Sequence, residues 1–146
     1  MSHTHSTQAR GARRAIILPV LGYLAAWGLM VAFFWLTPNR SGSMAFGYAL
    51  LVIWGLLPLL TLAVSAVVGS RVRGAAAWAA VPVLGCMFML LPYVTFYLAN
   101  TLTFGNVNAP DAGAFLAGAV CSAAGVLLGR ALAARRLRAA VPLQSA

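Results

Sequence analysis

The chain has 146 residues, of which 62% are hydrophobic and only 8% are charged. A water-soluble domain carries about a quarter charged residues, so this composition excludes an ordinary soluble fold. The formal net charge is +9, from ten arginines, no lysine and one acidic side chain, Asp111. Because the arginines lie at the ends of apolar segments and not along one face, they favour membrane topology over nucleic-acid binding.

An N-terminal tail precedes the first apolar segment. Residues 1–14 are small, polar and basic, and we expect them to be disordered. The tail contains His3 and His5, but two histidines without a scaffold do not predict a metal site. The apolar segment at residues 15–36 is longer than the ~7–15 residues of a cleavable signal sequence. It therefore predicts a retained first transmembrane helix.

Three further apolar segments follow, at residues 44–69, 75–99 and 112–133. Each has the ~20 residues that are needed to cross ~30 Å of hydrocarbon. Residues 15–133 therefore predict an all-α bundle of four transmembrane helices, in up-down-up-down order because short loops join antiparallel neighbours. Residues 134–146 are predicted to form a basic C-terminal tail.

The arginines predict the orientation of this bundle. The loop between the first two helices has only Arg40, and the loop between the last two has none. The excess of cations on the other side predicts that both termini are cytoplasmic. A composition rich in arginine, alanine and glycine is typical of a GC-rich bacterial genome, so the predicted location is a bacterial inner membrane. The arginines predicted to set this topology are Arg10, Arg13, Arg14, Arg71, Arg73, Arg130, Arg135, Arg136 and Arg138.

The second and third helices each contain a proline near their middle, Pro58 and Pro92. Proline removes one helical hydrogen bond and clashes with the preceding turn, which predicts a kink in each helix. Paired kinks can open a cavity or act as a hinge. Because proline is frequent in transmembrane helices, a purely structural kink is the favoured interpretation.

The third helix has the most polar face, made by Tyr93, Tyr97, Asn100 and Thr101. Their spacing of four, seven and eight residues places them on one side of a helix. The face predicts either ordinary anchoring by tyrosine at the membrane interface or a cleft that binds a small ligand. In the loop that follows, Asn108 is predicted to cap the last helix, with Asp111 in its first turn.

The last helix has a small residue at every fourth position, and a neighbouring row of Ala114, Gly118 and Ser122 widens this face. Small residues allow two helix backbones to approach closely in lipid. The predicted packing partner is a helix of this chain, a second copy or another membrane protein. The predicted packing face consists of Gly113, Ala117, Cys121, Gly125, Gly129 and Ala133.

A weak internal repeat relates the first and third helices. The tetrapeptide Pro-Val-Leu-Gly at Pro19–Gly22 recurs at Pro82–Gly85. The repeat suggests two tandem helical hairpins, although short apolar matches also arise by chance. Parallel repeats occur in transporters, and they also occur in proteins with no transport activity.

No segment has Asp, Glu, Lys, Arg or His in its interior, and Arg130 lies in the last turn of its segment. This argues against proton-coupled or ion-coupled transport. The chain has no catalytic motif, zinc motif or phosphate-binding loop, so we expect no enzyme activity, metal or cofactor. The first hypothesis is therefore a non-catalytic membrane subunit or scaffold that assembles by helix packing. The alternatives are a small oligomeric channel or carrier for a neutral solute, and a holin-like membrane-lesion protein, the last by analogy of shape alone.

Overall fold

The computed structural model describes residues 3–37, 42–72 and 74–139, and throughout these ranges the ordered elements are helices. The α-helices are α1 (His3–Leu36), α2 (Gly42–Tyr48), α3 (Leu57–Arg71), α4 (Ala80–Pro92), α5 (Leu98–Phe104) and α6 (Ala112–Ala139). Two π-helical segments, Ala49–Leu56 and Tyr93–Tyr97, join α2 to α3 and α4 to α5. A 3₁₀-helix at Gly74–Ala79 leads into α4.

Four continuous helices in these ranges are long and apolar enough to cross a membrane. The first span is Ile16–Leu36, the second Gly42–Arg71, the third Gly74–Phe104 and the fourth Ala112–Ala139. Their mean hydropathies are 2.1, 2.4, 1.9 and 1.9 respectively. The prediction of an all-α protein with four spans is confirmed, and the spans indicate a multi-pass membrane protein.

The ends of the helices differ from the prediction at several points. Helix α1 begins at His3, where a disordered tail was expected over residues 1–14. This stretch has no proline and contains alanine, glutamine and arginine, which are good helix formers. Helix α6 likewise continues past the predicted end at residue 133, and it ends at Ala139.

The third span ends five residues later than predicted, so that Asn100 and Thr101 are helical. Gly105 follows it with a φ of 72°, the left-handed conformation that commonly ends a helix at glycine. The Gly105 N–H donates to the carbonyl of Thr101 at 2.8 Å. The predicted cap of the last helix was wrong, because the side chain of Asp111, and not of Asn108, accepts the Gly113 N–H at 2.8 Å.

Each mid-span proline adjoins one of the π-helical segments. Ala49–Leu56 ends two residues before Pro58, and Tyr93–Tyr97 begins directly after Pro92. The ring of Pro58 crowds the carbonyl of Trp54, four residues earlier, and the wider turn of the first π-helical segment relieves that clash. The second segment follows Pro92, so it does not act on the carbonyl of Phe88, which lies in α4. Both prolines therefore lie close to the points where the helix changes between α-helical and π-helical hydrogen bonding.

The core lies where the four spans meet. Its buried residues include Tyr23 and Met30 of the first span, Leu57 of the second and Phe88 and Leu91 of the third. Fewer residues of the first span are buried, 11% against 28% in each of the others. The first span is therefore the least enclosed helix of the bundle.

Candidate functional site

Within the described ranges, the second and fourth spans approach each other most closely at their glycines. A Cβ atom added to Gly129 would overlap the carbonyl oxygen of Ala66, and one added to Gly125 would overlap that of Leu62. In the opposite direction, a Cβ atom on Gly69 would overlap the backbone of Val126. The two backbones thus touch directly through positions that only glycine can occupy, and we call these three glycines and their neighbours the glycine contact.

The buried face of the fourth span rotates away from the predicted row. Gly125 and Gly129 are buried as part of the glycine contact, whereas Gly113 is exposed and Ala117, Cys121 and Ala133 are only partly buried. A helix turns about 400° in four residues, so a strict four-residue row drifts by about 40° at each step. The residues that stay buried are Gly118, Ser122, Gly125, Val126 and Gly129.

The second span supplies a matching row that the sequence analysis did not single out. Thr61, Ser65 and Gly69 are small, four residues apart and buried. The same spacing rule that marked the fourth span would have found them. The third span packs on the fourth in a similar way, because a Cβ atom on Gly118 would overlap the side chain of Phe88.

Hydroxyl groups connect three of the spans through the core. The Oγ atoms of Ser65 and Ser122 lie 2.9 Å apart between the second and fourth spans. Ser65 Oγ also lies 2.6 Å from the Thr61 carbonyl oxygen, and Thr61 Oγ1 is 3.5 Å from the Tyr23 hydroxyl of the first span. Within the described ranges, every buried side-chain nitrogen or oxygen has a hydrogen-bond partner.

Two tryptophans of the first span point their indoles into the bundle, whereas Trp54 of the second span points outward. The Trp27 indole donates to the Met87 carbonyl at 3.0 Å, and the Trp35 indole donates to the Val94 carbonyl at 3.1 Å, so the first span is bonded to the third. Trp54 is the contrary case, because it lies near the middle of the second span and is 71% exposed. From their depth in the spans alone, the sequence predicts an acceptor inside the bundle for the indole N–H groups of both Trp27 and Trp54. That prediction is confirmed for Trp27 and was wrong for Trp54.

The predicted polar face of the third span is half-buried along its length. The rings of Tyr93 and Tyr97 pack edge to face, with their centroids 6.2 Å apart. Thr101 Oγ1 lies 2.9 Å from the Tyr97 carbonyl oxygen and 2.7 Å from that of Asn106, so the helix end and its loop use this hydroxyl. Asn100 is half-buried on the same stretch.

Three arginines with described side chains surround one end of the bundle. Arg130 Nη2 donates to the Gly74 carbonyl at 2.5 Å, and its guanidinium lies 5.4 Å from the centre of the Trp78 ring. Arg71 and Arg136 border the same cavity. Arg135 and Arg138 are exposed on α6, and the side chains of Arg10, Arg13, Arg14, Arg40 and Arg73 lie outside the described residues.

Comparison with known proteins adds no further constraint. No protein-family model, curated protein or solved structure matches the chain. Among the side chains that the structure describes, no group of three or more histidine, cysteine or acidic residues is placed to hold a metal ion. The argument for function therefore depends on the packing, polar contacts and charges above.

Proposed function

We propose that this chain is a non-catalytic subunit of a membrane assembly, which binds another membrane protein through an outer face of its bundle. The observation that carries the proposal is the arrangement of the interior polar groups. The hydroxyls of Tyr23, Thr61, Ser65 and Ser122 contact each other or the backbone, and so do the indoles that point inward. A packed interior of this kind suits a structural subunit better than a carrier, which needs a polar binding site at mid-membrane depth.

The glycine contact also changes which surface is proposed for the partner. Its small residues already pack against a helix of the same chain. We place the partner surface on the outer face of the second span around Leu51 and Trp54, which are 74% and 71% exposed. An indole N–H facing hydrocarbon lacks the acceptor that Trp27 and Trp35 have, and tryptophan is enriched in protein interfaces. A partner protein with a backbone carbonyl or a hydroxyl at this surface would accept the hydrogen bond from the Trp54 indole N–H.

We further propose an up-down-up-down bundle in a bacterial inner membrane, with both termini in the cytoplasm. The end of the second span (Arg71), the start of the third (Gly74) and the last part of the fourth (Arg130 and Arg136) border one cavity. Because the end of the second span lies beside the start of the third and the end of the fourth, the second and third spans are expected to run antiparallel. The arginines at this end of the bundle support its location on the cytoplasmic side. The tandem hairpins stay a prediction, since Gly22 has open space where Gly85 packs against Phe115.

Site-specific photocrosslinking tests the partner surface. A benzophenone amino acid is placed at Trp54 in one strain and, as the control, at Leu18, which is 76% exposed on the first span. We expect one discrete crosslinked protein from position 54, which also copurifies with the wild-type chain in mild detergent. Crosslinking to lipid alone at both positions, with no copurifying protein, would contradict the proposal.

A second candidate function, a small channel or carrier, has one observation in its favour. Tyr93 and Tyr97 lie on a π-helical segment, and such segments are frequent at functional sites. If the chain is a carrier, liposomes that contain only this protein will pass a small neutral solute, and Tyr93→Phe or Asn100→Ala will slow that flux. Liposomes as tight as protein-free ones would exclude this candidate.

A further inference from the structure

A cavity of about 780 Å³ lies at the arginine end of the bundle, between the end of the second span and the last part of the fourth. Arg71 borders it on one side, and Arg130 and Arg136 border it on the other. Apolar side chains, among them Val67 and Leu137, complete its wall. The cavity therefore combines cations with an apolar surface.

These cations have no acidic side chain near them. Asp111 is the only acidic residue of the chain, and it stands at the opposite end of the fourth span. At ~1.5 Å per residue, the helix separates Asp111 from Arg130 by about 28 Å. An anion from outside the chain is the natural counter-charge for this cavity.

Arg130 is already held in position for such an anion. Its bond to the Gly74 carbonyl and its cation–π contact with the Trp78 ring hold the guanidinium at the edge of the cavity. A guanidinium has five N–H donors, so this single bond leaves others for a ligand. Arg71 and Arg136 are exposed and can approach from either side. Several arginines around one space suit the oxygens of a phosphate group, which arginine binds through paired hydrogen bonds.

The depth of the cavity points to the source of that phosphate. Arg130 lies about 27 Å along the fourth span from Ala112, and Arg136 lies about 9 Å further. Measured from Ala112, a hydrocarbon layer ~30 Å thick ends between these two residues, so the cavity lies at the boundary between the acyl chains and the lipid headgroups. The apolar wall would contact the glycerol and upper acyl carbons of a lipid, whereas inorganic phosphate would gain nothing from it.

We propose that this cavity binds the phosphodiester headgroup of an anionic phospholipid. Basic pockets between transmembrane helices on the cytoplasmic side are suited to such headgroups. A bound lipid would join the ends of the second and fourth spans and neutralise arginines that otherwise repel each other. The site stands whether or not the chain also binds a protein partner.

Native mass spectrometry of the purified full chain in detergent tests the site, with phosphatidylglycerol and phosphatidylcholine as probes. The site variant is Arg71→Gln/Arg136→Gln. The matched control is Arg135→Gln/Arg138→Gln, which removes two charges that are also exposed but do not border the cavity. We expect phosphatidylglycerol to bind the site variant about thirtyfold more weakly than wild type. The control variant should bind it about as tightly as wild type, and phosphatidylcholine should bind weakly throughout.

Three results would overturn the proposal. Equal weakening in the two double variants would indicate general attraction to positive charge and not a site. Equal binding of the two lipids to wild type would show that the negative headgroup is not recognised. Displacement of phosphatidylglycerol by millimolar inorganic phosphate, with direct phosphate binding that needs Arg71 and Arg136, would assign the cavity to a soluble ligand. A thermal melt of each variant, read by circular dichroism, verifies that it is folded.

Discussion

The first and fourth spans show two different ways to join a helix to a bundle in lipid. The fourth span touches the second backbone to backbone, at glycines where a single methyl group would not fit. The first span stays at the periphery, and Trp27 and Trp35 reach from it to carbonyls of the third span. Since lipid removes the hydrophobic drive between helices, close packing and hydrogen bonds must supply the attraction. The fourth span is held mainly by close packing, with the Ser65–Ser122 hydroxyl pair beside it, whereas the first span is held largely by hydrogen bonds.

The largest effect should come from adding one methyl group to the glycine contact. Gly129→Ala places a Cβ atom against the Ala66 carbonyl, which belongs to a backbone that cannot move aside by side-chain rotation. We expect a loss of about 1–3 kcal/mol in the free energy of unfolding, measured in mixed micelles with increasing denaturing detergent. The matched control is Gly28→Ala in the first span, where nothing lies within 4 Å of the added atom. If the two variants were equally stable, the fourth span would not be packed more closely than the first, which would contradict this comparison.

The docking of the first span should depend on its indole hydrogen bonds. Trp27→Phe keeps an aromatic ring but removes the N–H that the Met87 carbonyl accepts. The expected cost is about 1 kcal/mol in the same unfolding measurement. Trp54→Phe is the control, because its indole is 71% exposed and should leave the stability of the isolated chain unchanged. A loss as large in the Trp54 variant would show that tryptophan volume, and not the hydrogen bond, matters.

A smaller effect is expected from the hydroxyl pair inside the glycine contact. A double-mutant cycle of Ser65→Ala and Ser122→Ala isolates the interaction between their Oγ atoms, which are 2.9 Å apart. Hydrogen bonds between helices in membranes average about 0.6 kcal/mol, so we expect a coupling energy of that size. If the effects of the two substitutions on the free energy of unfolding are strictly additive, the hydrogen bond between the two hydroxyls contributes nothing to stability. The helix contact would then depend on the glycines alone.

The sequence predicts the four spans well because hydropathy is a local property. Each span has the length and composition that the hydrocarbon layer demands, whatever it packs against. The signals at helix ends were less decisive. Asn108 and Asp111 are both good capping residues, and only the position of the first helical turn selects Asp111. Likewise, Pro58 and Pro92 predict a disturbed helix but do not reveal that the disturbance is π-helical.

The packing partners were harder to predict, because they depend on geometry between helices. The row from Gly113 to Ala133 was chosen by a four-residue spacing, and the actual contact follows Gly118, Ser122, Gly125 and Gly129 around the helix. The exposed Trp54 shows the same limit, since hydropathy gives its depth but not the direction of its side chain. The distribution of charge predicted that Arg71 and Arg130 lie on the same side of the membrane, but not that residues about 60 positions apart border one cavity.

The most direct test of the account is a disulfide across the second and fourth spans. In a chain with Cys86→Ala and Cys121→Ala, Ser65→Cys and Ser122→Cys place two thiols where the hydroxyls now touch. Mild oxidation in native membranes should give an intramolecular crosslink, seen as a shift in the mobility of the monomer that reductant reverses. A disulfide-linked dimer with no shifted monomer would show that the small residues of the fourth span face a second copy. The packing of the second span against the fourth within one chain would then be wrong.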